Sequence, residues 1–455
     1  MLIYQDFEKA TDKGSFILNA INEFKGSKFY LRALDAQSYY KGANSTILDR
    51  RFQFYTKGGQ LQEDIFKANN KVCSEFFPKI VKQIVSYLLA NGVTVNNDTI
   101  QGDLGRWFNV KMQELGTYAA VDGVGYGYGF INSQGKFQMD VWRGTEAIPL
   151  YDERTGIIMA IIRFWQIDSE RPLYAELYTV DGKTEYKSTD NKMQILKETS
   201  SYKKNVIKDI LGSSISEAGN FSVLPVFPLY FNDIKESSFN MALKSKIDLY
   251  DIINSDFGNN LEDSQDVYWV LTNYQGQDVG EFLENYKKYK TVPLDDDGNA
   301  EAKTIEVPYQ ARQVALETLK KQIYSDSMAL DTSVLSGGSL TNVAIKANMM
   351  DLDLKADDFE NQVYSFLYNV IGLLLEIKGT PNTEYDIELI RRSLINDTEA
   401  IDNIYKMRSD ISHETALKLN PYIKDEKKEM ELIDEEGLSK YDTKPIIKEK
   451  IIEEE

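Results

Sequence analysis

One long amphipathic segment limits the folds open to this chain more than any other feature. Between Thr341 and Lys378, ten apolar residues share one helical face: Val343, Ala347, Met350, Leu354, Phe359, Val363, Phe366, Val370, Leu374 and Ile377. A continuous helix over this segment would be roughly 57 Å long, which few compact enzymes need. Its most apolar part, residues 363–377, is too short to span a bilayer, so we predict a buried helix and no membrane segment.

The pattern ahead of this segment predicts an α+β fold. Helical spacing dominates residues 30–95, where the clearest helix begins at Phe76 and stops at Asn91-Gly92. Over residues 117–186 the pattern changes to short aromatic and β-branched runs separated by turn signals such as 133–135. We therefore expect a helical beginning followed by a meander of antiparallel strands.

Two further long helices and a small α/β insert are predicted before the long segment. The first helix runs from about Ser237 to Leu261, and the second follows Pro308 and ends near Leu330. The insert is expected to contain a strand over 267–272, a helix over 279–289 and a turn formed by Asp295, Asp296, Asp297, Gly298 and Asn299.

A loop and an acidic end complete the chain. Residues 331–340 read DTSVLSGGSL, and Gly337-Gly338 between serines predicts a flexible loop whose only ionisable residue is Asp331. Asn396 begins another helix with a capping box to Glu399, and residues 396–455 hold 17 acids and 10 bases. The last dozen residues have too little apolar content to fold alone, so we expect disorder there.

The charge of the chain argues against tight, sequence-specific DNA binding. With 71 acids and 52 bases the net charge is −19, whereas a repressor gains affinity by neutralising phosphates with a basic surface. An acidic wall still suits a duplex that must slide, because repulsion between like charges discourages sticking.

Catalytic groups are scarce. His413 is the only histidine and Cys73 the only cysteine, so a catalytic triad, a Cys-His pair or a zinc site would depend on one residue. Ser412 is interpreted as a helix N-cap, which leaves His413 as a first-turn surface residue. We expect no catalytic residue, no cofactor and no bound metal.

Three motifs come close to binding sites without matching them. Residues 129–137 approach a phosphate-binding loop but lie between two strands, with Phe137 where a magnesium-binding hydroxyl is needed. The alternating glycines 123–129 lack dinucleotide-binding spacing and are interpreted as a strand closely backed by another element. Acidic residues on one helix are interpreted as a solvated face rather than a two-metal site: Asp351, Asp353, Asp357, Asp358 and Glu360.

Five local sequences, in order, resemble one family, the portal proteins of tailed bacteriophages of the type found in long-tailed phages of Gram-positive hosts. The segments that carry the resemblance are Ser38–Gly42 with Ile47 and Arg50-Arg51; Asn69-Asn70-Lys71 leading to Gly92; Leu224-Pro225-Val226 with Asn232, Lys244–Tyr250 and Ser255; Leu340–Lys346; and Ile411–Leu417 with Leu419–Ile423 and Asp425–Glu436. In the fourth, LTNVAIK stands where this family usually has SGVALK, so Thr341-Asn342 departs from the pattern.

The resemblance implies the portal fold, assembled as a ring of about twelve copies. Its regions would be a β-rich wing (1–236), a stem helix (237–265), a small α/β clip (266–307), a second stem helix (308–330), a tunnel loop (331–340), the long wing helix and its return (341–395), and a helical crown with an acidic, partly disordered tail (396–455).

The resemblance also implies a role for two short segments. The DNA-channel loop would present Asp331, Thr332, Ser333, Ser336, Gly337, Gly338 and Ser339, and the clip, with Asp295, Asp296, Asp297, Gly298 and Asn299, would dock terminase and later the head-tail adaptor. The expected partners are other copies of the chain, double-stranded viral DNA held without sequence preference, major capsid protein and scaffolding protein. The ring would assemble in the host cytoplasm and reside at one vertex of the virion capsid.

Other classes of protein remain open at this stage. A tail or baseplate component would share the structural composition, and a nucleic-acid enzyme would need an active site that the residues do not show. A helix-turn-helix in the C-terminal region is the weakest alternative, since that region lacks a basic recognition helix.

Overall fold

The computed structural model describes residues 2–56, 58–65, 67–189, 192–208, 214–263, 268–272, 299–303, 309–333, 342–392, 397–420, 422–423 and 426–435. Two compact units are present. The first comprises Met1–Leu330 and Asp351–Arg392, and the second comprises Asp331–Met350 and Ser393–Glu455.

Helices occur throughout the described residues. Their bounds are α1 Tyr4–Lys9, α2 Lys13–Lys25, α3 Lys28–Tyr40, α4 Ser45–Leu48, α5 Phe76–Leu89, α6 Asp98–Asp122, α7 Met241–Asp263, α8 Tyr309–Asp326, α9 Asn342–Lys378, α10 Asp397–Met407, α11 His413–Leu419 and α12 Glu426–Glu435.

Strands are concentrated in the first half. Their bounds are β1 Leu2–Ile3, β2 Gln53–Tyr55, β3 Leu61–Glu63, β4 Val93–Val95, β5 Val124–Ile131, β6 Phe137–Arg143, β7 Ala147–Tyr151, β8 Ile158–Trp165, β9 Tyr174–Thr179, β10 Gly182–Thr189, β11 Lys192–Ser200, β12 Lys203–Lys208, β13 Ser214–Gly219, β14 Val226–Tyr230, β15 Tyr268–Thr272, β16 Asn299–Lys303 and β17 Ile387–Leu389.

The predicted antiparallel meander is present as a six-stranded sheet in the order β1-β7-β8-β9-β10-β11, in which only the β1–β7 pair is parallel. Alternate strand residues such as Leu150 and Ile162 face a core that also receives Ile17 and Ile21 of α2. This alternation puts one face of the sheet in the core, as the period of two requires.

A second sheet, in the order β14-β5-β6, holds three of the four alternating glycines, Gly125, Gly127 and Gly129, on β5. A Cβ on Gly127 would come within 2.6 Å of the Phe366 ring, and one on Gly129 within 2.6 Å of Leu373. Both contacts are with the long helix α9, so the interpretation of a closely backed strand is confirmed. Residues 129–137 form the β5–β6 hairpin rather than a strand leading into a helix.

The predicted long helix is α9, described from Asn342 to Lys378, and its predicted first residue, Thr341, lies outside the described residues. Its segment 363–377 buries its apolar face, with Val363, Val370 and Ile371 fully enclosed, while Tyr368 on the other face is 50 % exposed. It ends at Gly379, whose φ of 70° lies in the left-handed region that glycine adopts without strain. Among the described residues, no helix has the length and apolarity needed to cross a bilayer.

The two predicted helices before it are α7 and α8, which pack against each other and carry the two-stranded β15–β16 sheet between them in sequence. α7 begins four residues later than predicted, because the Ser237 hydroxyl bonds the Val121 carbonyl at 2.6 Å and the Asn240 side chain caps Leu243 N at 2.8 Å. α8 ends at Asp326 because Met328 has a φ of 51°.

Two regional predictions were wrong at their edges. Residues 30–95 are not helical throughout, since β2, β3 and β4 interrupt them. The strand region does not begin at residue 117 but at Val124, because α6 continues to Asp122 before Gly123, at a φ of 93°, ends it. Glycines within α6, including the kinked Gly105, obscured its helical pattern in the sequence.

The second unit contains the first nine residues of α9 and helices α10 to α12. The Ser412 side chain caps α11 by accepting a hydrogen bond from Thr415 N at 3.2 Å, as predicted. His413 opens that helix but is half-buried rather than a surface residue. The predicted capping residue Asn396, the predicted helix 279–289 and the last dozen residues lie outside the described residues.

Candidate functional site

Polar side chains of α7 hold residues 35–50 and 69–74 against this helix. Because the sequence predicts a stem helix here, we call this set of contacts the stem anchor. The buried Tyr39 hydroxyl lies 2.6 Å from Asn44 Oδ1, contacts the Asp248 carboxylate and accepts a hydrogen bond from Lys244 Nζ at 2.8 Å. Burial, reinforced by the Asp248 carboxylate, raises the pKa of Tyr39 to about 12. The hydroxyl therefore stays neutral and serves as a structural hydrogen-bonding group.

The second part of the stem anchor is a ladder between α7 and an extended segment, residues 69–74. Asn259 Oδ1 accepts from the backbone N–H of Asn70 at 2.6 Å, Ser255 Oγ from that of Val72 at 3.0 Å, and Asp251 Oδ1 from that of Ser74 at 3.0 Å.

The ladder works because two different periods coincide. Alternate residues of an extended chain advance by about 6.6 Å. Four residues of a helix advance by about 6 Å, so helix positions four apart can meet strand positions two apart. The three helix residues are 3 % exposed or less, and their polar atoms satisfy backbone groups that would otherwise be buried without partners.

Contacts made by charged side chains form the third part of the stem anchor. Arg50 binds both carboxylate oxygens of Asp256, at 2.8 and 3.1 Å, and Lys71 Nζ donates to the Ile47 carbonyl at 2.9 Å. Asp251 also accepts from Asn44 Nδ2 at 2.8 Å, yet burial raises its pKa above the ordinary range. The anchor is a positioning device for α7, with no arrangement suited to catalysis.

The stem anchor brings together segments that the sequence presents far apart. Tyr39 and Arg50, Asn70 and Lys71, and Lys244 with Ser255 belong to three of the stretches that carry the family resemblance. Sequence reasoning did not predict that they meet. The available signal was the four-residue spacing of Asp251, Ser255 and Asn259, polar positions on an otherwise amphipathic helix.

The predicted channel loop begins at a fixed point. The Gln83 amide of α5 donates to the Leu330 carbonyl at 3.1 Å and accepts from its N–H at 2.9 Å. Asp331 Oδ1 then accepts from Ser333 N at 3.0 Å and from Ser333 Oγ at 2.7 Å, and Thr332 lies in the same turn. Ser336, Gly337, Gly338 and Ser339 lie outside the described residues.

Of the predicted clip residues, the structure describes Asn299 alone. Asn299 begins β16 and pairs with Thr272 of β15. Asp295, Asp296, Asp297 and Gly298 lie outside the described residues.

The acidic face of α9 is solvated at Asp351, Asp357 and Asp358, as predicted, but three of its carboxylates also contact an arginine. Arg391 binds Asp357 and Glu360 and lies 3.5 Å from Asp353, which ties the β17 return to the helix. These carboxylates raise the pKa of Arg391 against the opposing effect of burial. Among the residues that the structure describes, no group of histidine, cysteine or acidic side chains is placed to hold a metal ion.

Comparison with known proteins shows which family this chain belongs to. The family model described as "Phage portal protein, SPP1 Gp6-like" matches residues 25–439. The chain is therefore a member of the phage portal proteins, within the SPP1 Gp6-like family.

Two curated portal proteins are similar over most of their length. One, from Clostridium phage phiCD119, is 27 % identical over 427 residues, covering 86 % of this chain and 89 % of the relative. The other, from Bacillus phage SPP1, is 26 % identical over 418 residues, covering 88 % and 82 %.

Solved structures of gene transfer agent particles also match. A chain in the neck of an empty particle, computed with C6 symmetry, gives a TM-score of 0.40 at 9 % identity and covers 79 % of this chain and 90 % of its own. A chain in a native virion particle gives 0.41 at 8 % identity, covering 78 % and 89 %.

Proposed function

We propose that this chain is the subunit of a portal ring at one vertex of a phage capsid, through which double-stranded DNA is packaged and later ejected. The family match across residues 25–439 carries the proposal. The described elements support it, since α7 and α8 pack as a pair, α7 is anchored along its length, and a small sheet lies between the two helices in sequence.

In this ring, α7 and α8 form the stem and the segment between them forms the clip. We propose that the clip, with Asp295, Asp296, Asp297, Gly298 and Asn299, docks terminase during packaging and the head-tail adaptor afterwards. The antiparallel β15–β16 pair supports a small sheet of its own at this position. ATP hydrolysis belongs to the terminase, and this chain acts as a structural component without cofactor or metal.

The channel segment is residues 331–340. Asp331 from each copy adds one negative charge to a circle around the channel, which repels phosphate and favours sliding over binding. Thr332, Ser333, Ser336, Gly337, Gly338 and Ser339 present small groups to the duplex. The stem anchor holds α7, which packs against α8, and the Gln83 contacts hold Leu330, directly before this segment.

The ring has about twelve copies, assembles in the host cytoplasm with major capsid and scaffolding proteins, and remains in the virion. Electron microscopy of the purified chain, with native mass spectrometry of the particles, tests the assembly. We expect a closed ring with a central hole wide enough for duplex DNA. A monomer that hydrolyses ATP without terminase would overturn the proposal.

A further inference from the structure

The β2–β3 hairpin is a separate two-stranded sheet whose strand residues are exposed in the part of the chain that the structure describes. Its three pairs are Gln53 with Glu63, Phe54 with Gln62 and Tyr55 with Leu61, and all six residues are exposed. No third strand joins them among the described residues. Two contacts join the strands at the base of the hairpin. Asp64 N donates a hydrogen bond to the Phe52 carbonyl at 2.9 Å, and Arg51 forms an ion pair with Glu63 at 3.6 Å.

Such a hairpin needs a covering surface to be stable. Two isolated strands are marginally stable in water at best, and the unpaired backbone groups at their edges can pair with another chain. Tyr55 is 75 % exposed, Leu61 53 %, Phe54 44 % and the adjacent Ile65 79 %. Because neighbouring strand positions point to opposite faces, Phe54 and Tyr55 present aromatic rings on both sides of the hairpin.

The segment that contains the hairpin, residues 50–71, has a net charge opposite in sign to that of the chain, and within it Arg50 pairs with Asp256 and Arg51 with Glu63. Residues 50–71 contain five bases, Arg50, Arg51, Lys57, Lys67 and Lys71, and two acids, Glu63 and Asp64. Since the whole chain has 19 excess acids and this segment 3 excess bases, the remainder has 22 excess acids. Lys67 Nζ lies 4.3 Å from the centre of the Phe52 ring, so a cation and an aromatic ring are presented together.

We propose that this hairpin docks onto an acidic surface of the adjacent copy and fastens neighbouring subunits in the ring. The inference rests on the proposed function. Aromatic and arginine side chains around aliphatic ones are typical of protein interfaces, whereas phosphate contacts need no leucine or isoleucine. A cyclic ring is built from heterologous contacts, in which a projection on one copy meets a different surface on the next.

The base of the hairpin is fixed to the stem. Arg50 pairs with Asp256 of α7, and the ladder through Asn70 and Asn259 follows the second strand. The contact with the next copy would therefore act directly on α7. Side chains at the tip are free to change without disturbing these anchoring groups.

A double substitution at the tip tests the proposal. In Tyr55→Ser/Leu61→Ser the apolar cross-strand pair is lost, and we expect the fraction of chains in rings to fall about tenfold, equivalent to about 1.4 kcal/mol. The matched control is Ile157→Ser/Ile167→Ser, which removes apolar residues that are 62 % and 77 % exposed elsewhere. Native mass spectrometry gives the ring fraction, and circular dichroism checks that each variant is folded.

A charge reversal separates protein from DNA as the partner. Lys67→Glu should reduce ring formation, whereas Lys136→Glu, in the exposed β5–β6 turn, should not. If Tyr55→Ser/Leu61→Ser or Lys67→Glu forms rings as the wild type does, the inference is overturned, and the proposed portal function is not affected. Loss of duplex-DNA binding with rings unchanged would assign the hairpin to DNA instead. A wild-type chain that forms no rings would contradict the proposed function, and the inference with it.

Discussion

Asp122 shows what burial does to a single charged residue. It is 2 % exposed, and its carboxylate accepts from Gln37 Nε2 at 3.0 Å and Arg143 at 3.3 Å. Burial outweighs these partners and raises the pKa of Asp122 to about 6. The group borders a cavity of about 620 Å³ beside the start of α7.

The raised pKa of Asp122 predicts a pH-dependent stability. Between pH 4 and pH 6 the folded state holds a proton that the unfolded state has released, so the free energy of unfolding falls as pH rises. The Asp122→Asn variant lacks this proton exchange, and its stability relative to the wild type should rise by up to about 3 kcal/mol across that range. Urea unfolding from pH 4 to pH 7 measures it. Parallel curves for Asp122→Asn and the wild type would contradict the assignment.

Ser255 gives a second prediction at the scale of one residue. Ser255→Ala leaves the backbone N–H of Val72 without its acceptor inside the stem anchor, which should cost about 1–3 kcal/mol of unfolding free energy. Ser245→Ala, on the exposed face of the same helix, should change it by less than about 0.5 kcal/mol. Chemical denaturation compares the two. Equal effects would show that the ladder does not stabilise the fold.

At the scale of elements, close contact between β5 and α9 sets the strictest packing requirement. Gly127→Ala places a Cβ 2.6 Å from the Phe366 ring and 3.0 Å from Met139 Sδ, and we expect a loss of about 1–3 kcal/mol from overpacking. Gly372→Ala is the control within α9. Its Cβ meets nothing within 4 Å, so the gain in helix propensity should stabilise the protein by up to about 1 kcal/mol. Thermal unfolding should shift in opposite directions for the two variants.

The elements that periodicity defines were predictable, and those that depend on distant partners were not. The apolar repeat from Val343 to Ile377 predicted α9, and the 133–135 turn predicted the β5–β6 hairpin. The start of α7 was missed because Ser237 bonds a carbonyl of α6, which is over a hundred residues away in sequence. The pairing of Arg391 with the acidic face of α9 was missed for the same reason: complementary charge in sequence does not specify contact.

At the scale of the whole molecule, net charge and assembly act against each other. Each copy carries a charge of −19, so copies in the proposed ring would repel one another at long range. Contacts between copies must therefore combine apolar burial with local charge complementarity. The cationic hairpin segment, residues 50–71, is suited to both requirements.

The channel segment gives a prediction for the assembled particle. Deleting Val334–Ser339 should leave ring assembly intact while reducing the DNA content of heads, because the shortened segment no longer reaches the duplex. Native mass spectrometry checks the rings, and quantification of nuclease-protected DNA checks packaging. A substitution of Lys136, far from this segment in sequence, serves as the control. If heads made with the deletion variant hold the normal amount of DNA, this segment has no role in packaging.

The ladder between α7 and residues 69–74 has a consequence for how this chain can vary. Asp251, Ser255 and Asn259 contact backbone N–H groups, so the identities of the side chains at alternate positions in the extended segment matter little. The length of the extended segment matters greatly. One inserted residue would turn away from the helix the N–H groups that now bond to it on one side of the insertion. Divergence in this stretch should therefore proceed by substitution, and insertions should be confined to the tip of the hairpin that precedes it.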